Sequence, residues 1–407
     1  MLDVQPHYDR EFQCIGPDCE DHCCSHWNVA IDRATYEKYR STPGLRPLVD
    51  QHVEISDPHA DSNYARIKLS PPAQICPFFT AERLCSIHQR YGLSYLTPTC
   101  VNYPRALQGC AAMTRPPFFL SCPEASRLVL FQPDLVPFER DPADDRPDYR
   151  RFLRMAHQPL KQHPKAQQKH FTDAQSFSLL LIQDRAYPLW QRLFLLGMFS
   201  KRMTETLEQN PNLVPKLLGE FAAIVRQQRL RSEMDGIPLQ TAAQLGVIIE
   251  VARRLETESH GSARVQECIR DFIQGIRYDR QSPVETLAPA YAEAYQQYYQ
   301  PFMEKHPFVM ENYLSNYVFW THFPRGTMSS DGPNNPLAAY FRMCLKYAVV
   351  KGLLIGMAGH YRADFAAEHV VKLVQCFSKA AEHSLRFLRG LNQNFATASG
   401  MALLLKN

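Results

Sequence analysis

Residues 12–27 read FQCIGPDCEDHCCSHW and set Cys14, Cys19, Cys23 and Cys24 in one short stretch. Outward from it come Cys76 and Cys85 (CPFFTAERLC), Cys100 (TCVNYPR), Cys110 and Cys122 (SCPEA), so nine of the 12 cysteines fall in the first 122 of 407 residues. Thiolates this dense form disulfides, hold zinc or hold an iron–sulfur cluster. The choice decides how the first third of the chain is organised.

The opening residues MLDVQPHYDR have no basic segment followed by an apolar one, so they do not read as a secretory signal. No stretch approaches the ~18–20 apolar residues of a membrane helix; the nearest, 348–359, is short and contains Lys351. A cytoplasmic protein with no membrane insertion is therefore expected, in a reducing compartment where disulfides are disfavoured. A net charge of +4 over 407 residues argues against nucleic-acid binding. With 30 prolines against 17 glycines, the chain has defined turns and helix stops rather than loose linkers.

The cysteines then read as metal ligands. Their spacings, C-x4-C-x3-C-C, C-x8-C and C-x14-C, are not paired zinc knuckles, and adjacent Cys23 and Cys24 do not readily share one ion. Cys14, Cys19, Cys23, Cys24, Cys76, Cys85, Cys100 and Cys122 exceed what one zinc can use. They suit an iron–sulfur cluster with spare thiols or two metal ions, with zinc as the alternative. His22, His26 and His88 are near enough in sequence to be alternative ligands, although ordinary surface or core histidines look the same. The C-x3-C-x2-C signature of radical enzymes fails, because Cys24 follows Cys23 without a spacer.

The pattern predicts a mainly α protein in three parts. Residues 1–127 form a cysteine-rich metal-binding unit with a few short strands (27–32 and 64–69 alternate) and a capped helix start at Asp32. Residues 128–175 connect, with a stretch (149–172) rich in Arg and Lys and free of acids. Residues 176–407 form a multi-helix domain, with apolar three- and four-residue steps over 177–185, 189–202, 214–229, 239–255, 263–276, 336–359 and 363–389. A tyrosine stripe (Tyr291, Tyr295, Tyr298, Tyr299) reads as core-facing, and Gly352-x3-Gly356 as a place where another helix packs closely.

Several motifs resemble one family, the flagellin lysine-N-methylases (the FliB family). They are Cys14, Cys19, the Cys23–Cys24 pair followed by Trp27, the Cys76–Cys85 pair, Cys100-x2-Tyr103-Pro104-Arg105 and Ser121-Cys122-Pro123-Glu124. Further along come Gln183-Asp184-Arg185-x-Tyr187-Pro188-Leu189, Glu311-Asn312-Tyr313-x2-Asn316-Tyr317, Phe323-Pro324 and the 340–358 helix. The cysteine part alone is similar to a broader group of zinc- or iron-chelating proteins. The resemblance implies methyl transfer from S-adenosyl-L-methionine to lysine ε-amines of flagellin, and an iron–sulfur cluster, 4Fe-4S, on the cysteines.

Methylating an amine with a sulfonium is a direct displacement. The lysine must be neutral, and nitrogen, methyl carbon and sulfur must align, so positioning carries most of the rate. A carboxylate, amide or phenol can hold the amine, and Glu311, Asn312, Tyr313 and Asn316 offer all three within six residues. The alternative for this segment is amides that cap neighbouring backbone. Tyr103 and Arg105 are the expected cofactor-binding pair, Arg105 forking onto the carboxylate of the methyl donor. No glycine-rich strand-to-helix turn is present, so donor binding would need a helical site of another kind. The competing function is a non-catalytic, metal-stabilised adaptor; a redox or metal-sensing regulator is a third.

Overall fold

The computed structural model describes residues 8, 11–25, 29–71, 74–106, 116–133, 140–141, 144–147, 166–258, 262–279, 281–325, 335–381 and 405–406. His26, Trp27 and Cys110, most of the basic stretch and the far end of the helix expected to 389 lie outside the described residues.

The architecture is mainly helical. The amino-terminal part contains β1 (Ala30–Ile31), α1 (Arg33–Ser41), α2 (Arg46–His52), β2 (Val53–Ala60), β3 (Asn63–Ile67), α3 (Ser86–Tyr91), α4 (Pro98–Asn102) and α5 (Pro123–Leu130). The strands form an antiparallel sheet of order β1-β3-β2, with Ile31 and Ile55 both opposite Ala65. The two alternating stretches mark β1 and β3. The sequence reading missed β2, because VEISDPHA alternates only over its first residues before turning polar. Asp32 caps α1 as expected, its carboxylate accepting from Thr35 N–H at 3.0 Å.

Val29, Ile31, Tyr39, Val49, Ala65, Ile67, Phe78 and Ile87 are the buried centre of this part, with Cys24, Cys85 and Cys100 packed against it. Phe118, Leu120, Ala125, Val129 and Leu130 belong to a different core, the one shared with the helices that follow. The segment 116–133 therefore packs as part of the helical body.

After a short hairpin, β4 (Arg140–Asp141) and β5 (Asp144–Pro147), come α6 (Ala166–Gln183), α7 (Leu189–Gln209), α8 (Val214–Arg226), α9 (Arg231–Asp235), α10 (Thr241–Glu258) and α11 (Ala263–Gly275). Next, α12 (Val284–Ala294) runs through a π-helical turn (Tyr295–Tyr299) into α13 (Gln300–Lys305). Then come α14 (Phe308–Trp320), α15 (Pro336–Tyr361) and α16 (Ala367–Ala381). Asn335 starts α15, its side chain accepting from Ala338 N–H at 2.8 Å, with Pro336 in the first turn.

Every residue of α15 from Met343 to Ala358 is buried, because apart from Lys346 and Lys351 this span is nearly all apolar and is surrounded. Glycines let its neighbours close in. Gly352 sits against Ile248 of α10 and Gly356 against Phe272 of α11, while Gly197 of α7 makes room for the Tyr340 ring. Tyr291 and Tyr299 of the tyrosine stripe are buried in this core. Among the described residues, no helix is long and apolar enough to cross a membrane.

Candidate functional site

The cysteines of the first third are all unbridged among the described residues. Cys76 and Cys122 are buried, Cys19, Cys24, Cys85 and Cys100 half-buried, and Cys14 and Cys23 exposed. Their mutual influence shows which are neighbours. The Cys24 thiol donates to Cys23 Sγ, which lowers Cys23 and raises Cys24 strongly. Burial pushes Cys76 up to about 11 and Cys100 up to about 12, and repulsion from Cys23 and Cys85 adds to both. Cys122 is pushed up to about 12, first by burial and then also by Cys19 and Cys23, while Cys19, raised chiefly by burial, also feels Cys14.

Two sets emerge, meeting at Cys23: Cys23, Cys24, Cys76, Cys85 and Cys100 on one side, Cys14, Cys19 and Cys122 on the other. Among the described residues, no three His, Cys, Asp or Glu side chains are spaced as ligands of one ion. In donor type, soft thiol sulfur, these residues suit a metal or cluster. At Cys19, Cys76, Cys100 and Cys122 burial opposes ionisation of the thiol, a penalty that a bound cation would remove. His22 stacks on Phe79 at 4.2 Å between ring centroids.

This sulfur-rich region is fastened to the helices by α16. Lys379 Nζ reaches Asp21 at 2.8 Å, His22 O at 3.0 Å and Ser25 Oγ at 3.1 Å. Gln375 Nε2 donates to Asp21 at 2.9 Å and to Ser121 O at 3.0 Å.

The segment Glu311-Asn312-Tyr313-x2-Asn316 lies on α14, where all residues from Val309 to Phe319 are buried. The polar ends of Glu311, Asn312 and Asn316 have internal partners. Glu311 accepts from Arg192 at 2.7 Å and from Arg185 at 2.8 and 3.0 Å. Arg192 also donates to Ile182 O and Tyr187 O, each at 2.7 Å. Asn312 Nδ2 donates to Gln132 O at 2.6 Å and Leu130 O at 3.3 Å, at the end of α5. Asn316 pairs with the Phe118 backbone, donating to its carbonyl at 2.9 Å and accepting from its N–H at 3.3 Å, and accepts from the Tyr8 hydroxyl. The two motifs that sequence reading singled out in the helical half thus meet: the turn after α6 supplies Arg185, and Glu311 receives it. Asn312 and Asn316 engage backbone, as in the capping alternative, but across elements rather than at their own helix end.

Tyr103 and Arg105 have partners of their own. The Tyr103 hydroxyl is 3.1 Å from Ser121 Oγ, and the Arg105 guanidinium faces the rings of Phe12 (5.5 Å) and Phe118 (5.7 Å). Arg105 and Phe118 are bridged antiparallel, so this pair and Asn316 converge on one backbone segment.

Two buried lysines on α15 are chemically telling, and sequence reading noted only one, as a charge in an apolar stretch. Lys346 lies 5.3 Å from the Tyr317 ring and 5.4 Å from that of Trp320. Lys351 donates to Leu405 O at 3.2 Å, and burial draws it from 10.5 down to about 7. A lysine inside an otherwise apolar core helix was the available signal.

For Lys351 the sign of the pH effect follows directly. Below pH 7 it is charged in both states and the folded protein bears the burial cost. Between about 7 and 10.5 the unfolded chain binds the extra proton, so stability rises with pH. The Lys351→Met protein should lack this rise; the difference between the two denaturation curves, on the order of a few kcal/mol from pH 7 to 10, measures it. Parallel curves would place Lys351 in a wetter setting.

Comparison with known proteins places the chain in a family. Residues 175–405, the helical half from within α6 onward, match the FliB lysine N-methylase C-terminal domain. The chain is 21% identical over 402 residues to the lysine-N-methylase of Salmonella choleraesuis, covering 97% of this chain and 95% of that protein. The lysine-N-methylase of Salmonella typhimurium gives the same identity and coverage. A third relative, the flagellar biosynthetic protein FliU of Salmonella muenchen, is 30% identical over 135 residues, 33% of this chain and 79% of that protein. No solved structure matches. With more than half its length matched, the chain belongs to the FliB lysine N-methylase family.

Proposed function

We propose that this chain is a protein-lysine N-methyltransferase that moves a methyl group from S-adenosyl-L-methionine to lysine ε-amines of flagellin, in the cytoplasm. The observation that carries this is family membership across the helical half, with two lysine-N-methylases aligned over nearly the whole chain. The flagellar name of the third relative supports a flagellar substrate.

The residues take distinct parts in this reading. Glu311, Asn312 and Asn316 are positioning residues: their polar atoms are engaged inside the protein, and they lock α14 to α5, to the Phe118 segment and to the α6–α7 turn. Tyr313, buried on the same helix, and the Tyr103–Arg105 pair, already in contact with Ser121, Phe12 and Phe118, are the candidates to line the methyl-transfer site. The β1-β3-β2 sheet is small and antiparallel, so donor binding falls to helices and turns.

Cys23, Cys24, Cys76, Cys85 and Cys100, with Cys14, Cys19 and Cys122 beside them, would hold an iron–sulfur cluster, or zinc in its place. Bound there, the group supplies folding energy to a region whose own core is small. Protein purified without air should be brown, with broad visible absorbance and iron by metal analysis. A colourless protein with stoichiometric zinc would replace the cluster by zinc. Cys76→Ser should lower both bound metal and solubility; lost metal with unchanged stability would refute the structural role.

The deciding experiment mixes purified protein, methyl-labelled S-adenosylmethionine and flagellin. Label on flagellin lysines is the expected result. Binding of flagellin without transfer would overturn the enzyme reading and leave the adaptor.

A further inference from the structure

Lys406 is held in a way that ordinary surface lysines are not. Its ammonium donates to Asp235 O at 3.0 Å and also to Ile237 O. Nζ lies 4.9 Å from the centre of the Trp190 ring. Its own carbonyl accepts from Gln244 Nε2, and the preceding carbonyl, of Leu405, accepts from Lys351 Nζ at 3.2 Å. The Leu405 side chain is fully buried. Four elements therefore converge on two residues: Trp190 from α7, Asp235 from α9, Gln244 from α10 and Lys351 from α15.

The chemistry is that of peptide-lysine recognition. Two successive main-chain carbonyls are held by side chains, which suits any peptide with an apolar residue before lysine. The amine meets an aromatic face and neutral backbone carbonyls, and no ion pair involves it among the described residues. Carbonyl oxygens and an aromatic face both receive an ammonium, so the site reads the lysine amine without pairing it to a carboxylate. Asp235, the acid nearest in sequence to these carbonyls, has its carboxylate engaged by Gln191 Nε2 at 2.6 Å. Gln191 is fully buried, and its Oε1 has no hydrogen-bond partner among the described residues.

From this geometry we propose that Trp190, the Asp235 and Ile237 carbonyls, Gln244 and Lys351 form a site for a peptide segment of the type apolar residue–lysine, and that Leu405–Lys406 fills it in cis as a competitor of substrate. Calling the occupant's rival a substrate rests on the methyltransferase reading above; the recognition of lysine does not. The rival interpretation is that Leu405–Lys406 is a structural tether.

The test uses the full-length protein and the dipeptide Nα-acetyl-Leu-Lys-amide, with binding read from the Trp190 indole resonance by NMR. Lys406→Ala should bind this probe at least tenfold more tightly than the unaltered chain. The norleucine analogue, lacking the amine, should bind at least tenfold more weakly than the lysine dipeptide. Equal affinity in the two proteins, or equal affinity for the two dipeptides, overturns the proposal. Lys406→Met keeps the stem on Trp190 and so guards against misfolding of the alanine variant; its affinity should fall between the other two, and no gain in it overturns the proposal. In the label-transfer assay, Lys406→Ala should raise kcat/KM for the protein substrate severalfold. Lysine-selective binding with no transfer by any variant would sink the enzyme reading and leave the site standing. Transfer that is unaltered by Lys406→Ala, with no dipeptide bound, would sink the site and leave the enzyme.

Discussion

Gly275→Ala should leave the protein poorly folded. A Cβ at this position would lie 1.7 Å from Gly356 O, 2.7 Å from His360 N and 2.8 Å from Gly356 C. All three atoms are backbone of α15, so no rotamer change relieves the clash. The two helices would have to separate beside Gly356, which is buried in the core. Ordinary overpacking costs about 1–3 kcal/mol, and a backbone collision between core helices belongs at or above the top of that range. Urea denaturation measures it, and a variant that unfolds at the same midpoint as the parent would show that α11 and α15 do not meet this closely. Gly246→Ala is the matched control. Its Cβ would meet only Val284 Cγ1, at 4.0 Å, so the helix propensity of alanine should appear as a gain of up to about 1 kcal/mol.

The contrast between these glycines shows where sequence reading succeeds and where it stops. The run 336–359 was legible as a long helix, and the shortness of its apolar part, 348–359, with Lys351 inside it, argued against a membrane span. Gly352-x3-Gly356 was legible as a close-packing face because small residues at helical spacing have few other uses. Gly275 and Gly197 were not legible. Each depends on which helix lies opposite, a fact of tertiary pairing that no local pattern contains. The same holds for α14. Its apolar and polar residues are mixed around the whole helix because every side is buried, so periodicity gave no face, and residue chemistry alone suggested a reactive pocket. The partners that engage Glu311 lie more than a hundred residues away, in the turn after α6 and the first turn of α7. The cysteine segment was legible as a gathering of thiols. The segment around Cys122 could not be assigned to the helical core, because its short apolar run looks alike whichever body it joins.

Glu311→Ala should be the most damaging polar substitution, and its comparison with Glu311→Gln separates two roles. The Glu311 side chain is 4% exposed and that of Arg192 7%. Removing the carboxylate strands a buried guanidinium whose remaining acceptors are two main-chain carbonyls. Breaking a buried pair from one side costs about 3–5 kcal/mol, enough to unfold a domain of ordinary stability. Arg185, with 44% of its side chain exposed, contributes far less, and Arg185→Ala should cost under about 1 kcal/mol. Glu311→Gln keeps the shape and some of the hydrogen bonds, so it should fold with a smaller loss of stability. If Glu311 only positions α14, Glu311→Gln should lower kcat no more than its stability loss and any accompanying rise in KM suggest, and Glu311→Asp should restore part of the activity. If the carboxylate itself receives the lysine proton, Glu311→Gln should instead lose about a hundredfold or more in kcat while remaining fully folded. That second outcome would return Glu311 to the reacting atoms and require Arg185 to move aside when substrate binds.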